Sequence, residues 1–232
     1  MTLHLSEGMI ARSFWEELNS SLVEEEASRE ARRILEDSRA IEARFPSRTG
    51  SISLHSIKTV WLLANYFQPS VIAEVGTYIG RSTLAMARGA RSTLKGLFTC
   101  DMSFDSWAPP TPEDAATIQY FGKTSSTDMM KALAGRTQVD MFLLDGRLQQ
   151  DDLQLISTLR HDRSVFLVDD FEGVEKGVDN ALKLRNAFPD LIMLAPPATL
   201  ADGWSKSHCL AVLLPSKLIQ LSRQQRLPLW MM

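Results

Sequence analysis

Acidic residues lie at or next to the ends of four short apolar runs of this chain. Glu74 lies within VIAEV, Asp101 ends LFTCD, Asp145 ends VDMFLLD, and Asp169 and Asp170 end VFLVDD. Ligands of open parallel sheets bind beyond the carboxyl ends of the strands, so these carboxylates are expected at one edge. Clustered carboxylates repel one another unless a cation or hydrogen-bond donors compensate. The pattern predicts a site for a cationic small molecule or a divalent metal ion, unless the acids only cap strands.

The most specific pattern is E-V-G-T-Y-I-G-R-S-T, within residues 71–86. Gly76 and Gly80 bracket a turn between a strand predicted at Val71–Val75 and a helix predicted over 81–90. Glycines at such a junction let a ligand approach the backbone at the N-terminus of the helix. The spacing is G-x-x-x-G and differs from the G-x-G-x-x-G of dinucleotide-binding proteins, which disfavours a nicotinamide-dependent oxidoreductase.

Asp101 ends a second predicted strand, 97–101. A carboxylate at that position offers two oxygen atoms to the two neighbouring hydroxyls of a ribose. Together with the glycine turn, Asp101 therefore predicts a nucleoside ligand, although dinucleotide-binding enzymes carry the same acid.

Residues 53–215 resemble class I S-adenosylmethionine-dependent methyltransferases, and most closely the small catechol-type and related O-methyltransferases. The resemblance implies an α/β fold with a doubly wound, seven-stranded, Rossmann-like methyltransferase sheet. It also places the amino-acid portion of S-adenosylmethionine near Glu74 and Gly76, its ribose at Asp101 and its adenine near Ser126 and Thr127. The complete set of cofactor-binding residues that it implies is Glu74, Gly76, Tyr78, Gly80, Ser82, Asp101, Ser126, Thr127 and Asp145.

Metal-dependent members of that family have an aspartate after the fourth strand and an Asp-Asn pair after the fifth. Asp145, Asp169 and Asp170 match those places, with Asp170 in place of the asparagine. The resemblance thus implies a metal site with oxygen ligands, which would suit Mg²⁺ or Ca²⁺.

The general base of that family is a lysine three residues past the first of these aspartates, and here it is Leu148. Arg147, Lys176 or a carboxylate would have to replace it. Phe171, directly after the paired acids, would stabilise a sulfonium by a cation–π contact. The catalytic residues that follow from the resemblance are Asp145, Arg147, Asp170 and Phe171.

The elements that position these residues alternate between strands and helices. Apolar runs predict the third to seventh strands at 118–123, 139–145, 165–170, 191–194 and 208–214. Residues 1–50 form a predicted N-terminal helical extension, either packed on the main domain or acting as a lid or dimer contact. Residues 51–232 form the predicted S-adenosylmethionine-binding domain, in which loops around Trp107 and Trp204 shape the acceptor pocket.

Composition and charge limit the kinds of partner that this chain is expected to bind. The 232-residue chain has a net charge of −3, which gives no electrostatic reason to expect a nucleic acid. Its sequence shows neither an apolar run of membrane-spanning length nor a signal peptide. Cys100 and Cys209 lie in apolar runs without metal-type spacing and suggest reduced thiols in a cytoplasmic protein. A small-molecule substrate is expected, with a homodimer as an option.

The activity that the resemblance implies is methyl transfer to a small acceptor, to oxygen rather than nitrogen. Two alternatives stay open. In the first alternative, the enzyme consumes S-adenosylmethionine without methylating an acceptor, by an intramolecular cyclisation or an alkyl transfer that releases methylthioadenosine. Alternatively, the same fold would serve as a non-catalytic nucleoside-binding domain, because fold does not fix function.

Overall fold

A computed structural model describes residues 7–19, 23–43, 51–103, 107–171, 175–195 and 209–219. Strands and helices alternate along most of the described chain. The strands are β1 (Val71–Val75), β2 (Gly96–Asp101), β3 (Ile118–Gly122), β4 (Val139–Leu144), β5 (Arg160–Val168), β6 (Leu191–Leu194) and β7 (Ala211–Pro215). The helices are α1 (Glu7–Asn19), α2 (Glu24–Glu42), α3 (Leu54–Phe67), α4 (Arg81–Gly89), α5 (Pro112–Ala115), α6 (Ser126–Leu133), α7 (Asp152–Leu159) and α8 (Lys176–Ala187).

These described strands form a single seven-stranded sheet in the order β3-β2-β1-β4-β5-β7-β6. Strands β1 to β5 are parallel, and β7 runs antiparallel between β5 and β6. The predicted seven-stranded α/β sheet is confirmed. Because β1, β2, β4 and β5 are parallel, their carboxyl ends meet at one edge, where the strand-end acids of the sequence lie.

The parallel strands are nearly continuous apolar runs because helices cover both faces of the sheet. In β4 and β5, Phe142 and Phe166 stack with ring centroids 4.9 Å apart, and both are fully buried. Strand β1 is buried from Ile72 to Val75, which places the carboxylate of Glu74 inside the core. That position requires hydrogen-bond partners for the carboxylate.

Strand β5 is longer than predicted, because it begins at Arg160 and not at 165. The polar segment RHDRS hides this extension from a reading based on apolar runs. Arg160 pairs with Val139 across a register shift, and Ser164 donates a hydrogen bond to the carbonyl of Val139 at 2.7 Å.

The N-terminal helices belong to the core of the molecule. Their buried side chains join the same cluster as α3 and α4 and are Phe14, Trp15, Leu18, Ala27, Ala31 and Ile34. Trp15 Nε1 donates to the carbonyl of Ala195 at 2.6 Å, which fixes α1 beside β6. Their predicted role as a lid or dimer contact stays a prediction.

None of the helices within the described ranges combines the length and the apolar character that crossing a membrane would require.

Candidate functional site

The turn between β1 and α4 depends on its two glycines. Gly76 has φ +102° and Gly80 has φ +80°, a region that favours glycine. A Cβ atom at Gly76 would lie 3.2 Å from the backbone nitrogen of Gly146, so this turn packs on the turn after β4. The backbone N–H groups of Gly76 and Thr77 both donate to the carbonyl of Cys100, which ties the turn to β2.

Trp107 supports this turn from the side of the loop after β2. A Cβ atom at Gly80 would lie 2.3 Å from its Cζ2 atom, so the indole rests directly on the glycine. Its Nε1 donates to the carbonyl of Ile79 at 3.0 Å, and the residue is only 6% exposed. Trp107 therefore shapes the turn, whereas the sequence suggests a role over the acceptor pocket. Trp204 lies outside the described residues.

The buried carboxylate of Glu74 stabilises the glycine turn through hydrogen bonds. It accepts them from the hydroxyls of Ser82 at 2.6 Å, Thr83 at 2.5 Å and Thr99 at 2.6 Å. Burial raises the pKa of Glu74 to about 7, and the three hydroxyls oppose the shift. The residue is 0% exposed, and its predicted contact with the cofactor stays a prediction. Ser82, 4% exposed, has its hydroxyl proton committed to Glu74.

Asp101 remains accessible at the end of β2. Its Oδ2 accepts the backbone N–H of Tyr78 at 2.8 Å, and its Oδ1 accepts that of Ser103 at 2.7 Å. Each carboxylate oxygen can accept more than one hydrogen bond, so both can still receive a ribose hydroxyl. Tyr78 has φ +47°, an uncommon conformation for a residue other than glycine, which directs its N–H at Asp101.

A hollow of about 490 Å³ opens beside Asp101. Its walls come from the segment after β2, from the start of α6 and from the loop before α7. The residues that line it are Met102, Ser125, Thr127, Gln149, Gln150 and Asp151. Met102 is 69% exposed there, so an apolar, flexible side chain is available to a flat ring.

The two residues predicted beside adenine have different positions. Ser126 is 5% exposed and donates to Asp152 at 2.6 Å, so its hydroxyl proton serves the interior and does not face the hollow. Thr127 also donates to Asp152, at 2.6 Å, but it lines the hollow as well. Asp152 is completely buried and joins α6 to α7 through these bonds.

The acids at the ends of β4 and β5 surround a lysine. Lys176 Nζ lies 2.7 Å from Asp145 Oδ1 and 3.0 Å from Asp170 Oδ2. Burial raises the pKa of Asp145 despite the adjacent ammonium, and the two carboxylates raise the pKa of Lys176 against its own burial. Asp169, 7% exposed, has its pKa raised to about 7 by burial and then by the charges of Asp145 and Asp170.

A close backbone contact brings α8 to these acids. A Cβ atom at Gly177 would lie 2.1 Å from the carbonyl oxygen of Asp169 and 2.6 Å from that of Asp170. Only glycine lets the first turn of α8 approach this closely. Asp170 adopts φ +54° at the same place. From the next turn of α8, Asn180 accepts the N–H of Leu148 and donates to the carbonyl of Gly146, which fixes the turn after Asp145.

The three acids do not fit a metal ion in this arrangement. An ion bound by Asp145 and Asp170 would share the oxygen atoms that the ammonium of Lys176 already contacts. Across the described ranges, no group of three His, Cys, Asp or Glu residues is arranged to hold a metal ion.

The remaining predicted catalytic residues flank this cluster. Arg147 is exposed on the turn after β4. Phe171 is half-buried, packs on the core beneath β5, and donates its N–H to the carbonyl of Cys209 at 2.8 Å. Their predicted roles toward substrate and sulfonium stay predictions.

Sequence reasoning missed several residues. Met102, Gln149 and Asp152 are absent from the predicted site, and Lys176 enters only as a substitute base. Asp151 and Asp152 at the start of α7 have the ordinary appearance of helix capping, which conceals the hydrogen bond between Asp152 and Ser126. The sequence does offer one indication of Lys176. It is the one basic residue of the segment FEGVEKG, which directly follows the paired acids.

Neither a protein-family model nor a curated protein matches the sequence. Solved structures do match. The O-methyltransferase TomG from Streptomyces achromogenes, involved in tomaymycin synthesis and in complex with SAM, is 19% identical, with 78% of this chain and 89% of TomG covered and a TM-score of 0.56. An O-methyltransferase from Bacillus cereus in complex with SAH is 16% identical, with coverage of 89% and 96% and a TM-score of 0.57.

Cofactor-bound Rv0187 from MTB is also similar. It is 20% identical, with 92% of this chain and 99% of Rv0187 covered and a TM-score of 0.55. At these identities, the likenesses show that this chain shares the fold of the three proteins.

Proposed function

We propose that this chain, which has the fold of the class I S-adenosylmethionine-dependent methyltransferases, methylates a small molecule, at oxygen in preference to nitrogen. The observation that carries the proposal is the junction of the glycine turn, Asp101 and the adjacent hollow at one sheet edge. The N–H of Tyr78 joins the turn to Asp101 at 2.8 Å, and Met102, the next residue, lines the hollow. The names of the similar structures, O-methyltransferases with SAM or SAH, support it.

The residues of this edge suit the parts of S-adenosylmethionine. Asp101 would accept the ribose hydroxyls, and Met102 and Thr127 would flank the adenine in the hollow. The backbone at Gly76 is left open by the missing side chain, next to the turn of Asp145 and Gly146. Carboxylates at this edge would attract the positive charge of the sulfonium and of the amino group.

Bound S-adenosylmethionine supplies an activated methyl group, whose carbon–sulfur bond breaks, with the electron pair kept by sulfur, as the carbon–oxygen bond forms. The protein contributes alignment and a proton acceptor. Asp145 is the proposed acceptor for the proton of the substrate hydroxyl, because its side chain is 14% exposed at the cluster and burial raises its pKa.

The test is calorimetric titration of the protein with S-adenosylhomocysteine, followed by incubation with S-adenosylmethionine and a panel of phenols, catechols and amines. Binding of one molecule and acceptor-dependent release of S-adenosylhomocysteine are expected. Asp101→Asn should weaken binding about tenfold, since a hydrogen bond to a charged group is lost. Glu113→Gln, a change to an exposed surface carboxylate, should leave binding unchanged.

Three results would contradict the proposal. Methylthioadenosine formed without an acceptor would indicate intramolecular chemistry. Tight binding without turnover across the panel would indicate a non-catalytic nucleoside-binding domain. Absence of binding would remove the proposed ligand altogether. A homodimer, the lack of a nucleic-acid partner and a cytoplasmic location stay predictions of the sequence.

A further inference from the structure

We propose that Lys176 is the resident cation of the cluster formed by Asp145, Asp169 and Asp170, in the place of a divalent metal ion. The inference rests on the proposed function, and it states that methyl transfer by this chain requires no metal. Lys176 is thereby assigned to the site as the group that carries positive charge to the acceptor.

The contacts of Lys176 are those of a bridging cation. Its ammonium joins one carboxylate from the end of β4 with one from the end of β5, at 2.7 and 3.0 Å. An ammonium has three donors, and two of them are used by Asp145 and Asp170. Among the described residues, the third has no carboxylate partner, and we assign it to an acceptor oxygen, which would be stabilised as it loses its proton.

The ammonium and a metal ion cannot both occupy this place. Mg²⁺ and Ca²⁺ bind carboxylate oxygens at about 2.0 to 2.6 Å. An ion at that distance from Asp145 Oδ1 and Asp170 Oδ2 would lie in contact with the Nζ atom that already bridges them. Repulsion between two cations would then exclude one of the two from the cluster.

The fold builds the position of Lys176. Gly177 lets α8 contact the backbone of Asp169 and Asp170, and this contact sets the preceding residue beside both carboxylates. Lys176 is also the first residue of α8, where the helix end has a partial positive charge that favours nearby anions. Asp170, where the metal-dependent enzymes have asparagine, adds a negative charge for which the ammonium compensates.

Removal of the ammonium should uncover a divalent cation site. The experiment titrates Mn²⁺ into the full chain and follows free Mn²⁺ by electron paramagnetic resonance. The proteins are wild type, Lys176→Met, Lys176→Arg, Asp145→Asn and Lys176→Met/Asp145→Asn. We expect Lys176→Met to bind Mn²⁺ at least about tenfold more tightly than wild type, because three carboxylates lose their cation. Lys176→Arg and the double variant should behave like wild type.

The matched control is Lys183→Met, the same substitution on the same helix. Lys183 pairs with Asp179 at 2.8 Å and donates to the carbonyl of Leu148 at 3.2 Å; neither partner belongs to the acid cluster, so no gain of Mn²⁺ binding is expected. Circular dichroism and urea unfolding establish that each variant is folded.

Two results would overturn the inference. One is stoichiometric Mn²⁺ binding by wild type that Asp145→Asn abolishes. The other is a folded Lys176→Met variant without any gain in affinity. If Lys176→Met does not fold, the test is made on wild type, whose methyl transfer is measured before and after dialysis against EDTA. Unchanged turnover supports the inference. Turnover that is lost on dialysis and restored only by added Mg²⁺ or Mn²⁺ contradicts it. The Mn²⁺ titrations do not depend on S-adenosylmethionine, so their failure is distinct from failure of the proposed function.

Discussion

At the scale of single residues, two carboxylates that occupy similar places in the sequence have different surroundings in the structure. Glu74 and Asp101 both belong to strands that reach the same sheet edge. The carboxylate of Glu74 is enclosed by three hydroxyls, whereas that of Asp101 accepts the backbone N–H groups of Tyr78 in the glycine turn and of Ser103 in the loop after β2. Glu74 therefore stabilises the turn from a buried position, and Asp101 is the more exposed of the two carboxylates.

The pKa of Glu74 predicts how stability depends on pH. Burial raises it from 4.5 to about 7, so the folded protein retains a proton that the unfolded chain loses. The stabilisation is complete below about pH 4.5 and is lost as pH rises through 7, by up to about 3 kcal/mol. The substituted side chain in a Glu74→Gln variant cannot ionise. In urea unfolding between pH 5 and 8, the free energy of unfolding of this variant should therefore decrease less with rising pH than that of wild type.

The pKa of Asp169 is also raised to about 7, so this residue also lowers the free energy of unfolding as pH rises. That contribution remains in Glu74→Gln. Glu36→Gln, at an exposed position of α2, is the control and should follow wild type. Parallel curves for Glu74→Gln and wild type would show that Glu74 is ionised at every pH tested.

At the scale of elements, the site depends on how closely α8 approaches the end of β5. The first turn of the helix packs its backbone on that of Asp169 and Asp170 through Gly177. The next turns hold the loop after β4 through Asn180 and Lys183. One helix thereby positions both Lys176 and the loop that follows Asp145.

Gly177→Ala should separate α8 from the cluster. Its Cβ atom would lie 2.1 Å from the carbonyl oxygen of Asp169, so the helix must shift. Overpacking costs about 1 to 3 kcal/mol, against a gain of about 1 kcal/mol from the better helix former. We expect net destabilisation in urea unfolding, and a loss of S-adenosylmethionine turnover that exceeds the loss of folded protein.

Gly135→Ala is the matched control, because Gly135 has φ +75° but no atom within 4 Å of an added Cβ. It should cost only the backbone strain, about 1 kcal/mol, and leave turnover intact. Equal turnover of Gly177→Ala and wild type would show that the approach of α8 is not required.

At the scale of the whole molecule, the N-terminal helix α2 is joined to α4 and α5 by the ion pairs of a buried arginine. Arg88 of α4 lies 2.7 Å from Asp37 of α2 and 2.9 Å from Asp114 of α5, and its side chain is 4% exposed. Arg81, the first residue of α4, contacts Ser38 and Glu42 of α2. Movement of α2 would therefore disturb the helix that follows the glycine turn.

Arg88→Met should be among the most destabilising substitutions of this surface. Removal of one partner leaves the buried Asp114 without its cation, at a cost of about 3 to 5 kcal/mol. Arg91→Met, one turn away in an exposed pair with Glu113, should cost about 1 kcal/mol or less. Guanidinium unfolding measures both, and equal costs would show that the buried pair does not join the helices.

Much of the fold follows from local patterns. The sequence predicts β1 and β6 with the bounds that the structure has, because turn-forming residues, among them Pro69, Gly76 and Pro189, lie next to their short runs. It misses the start of β5, since RHDRS is polar although it pairs with β4. The glycine turn is predictable for a local reason as well, because positive φ at two positions of a strand–helix junction requires glycine.

The sequence by itself determined that carboxylates and a glycine turn lie at the ends of predicted strands, since strand positions along the chain and side-chain types follow from short-range patterns. Only the tertiary structure decided which carboxylates are open, enclosed or neutralised. Glu74 meets Thr99, Ser126 meets Asp152, and Asp145 meets Lys176 through contacts between distant parts of the chain. Such contacts depend on helix placement to within an ångström, and that placement is set by packing of the whole core.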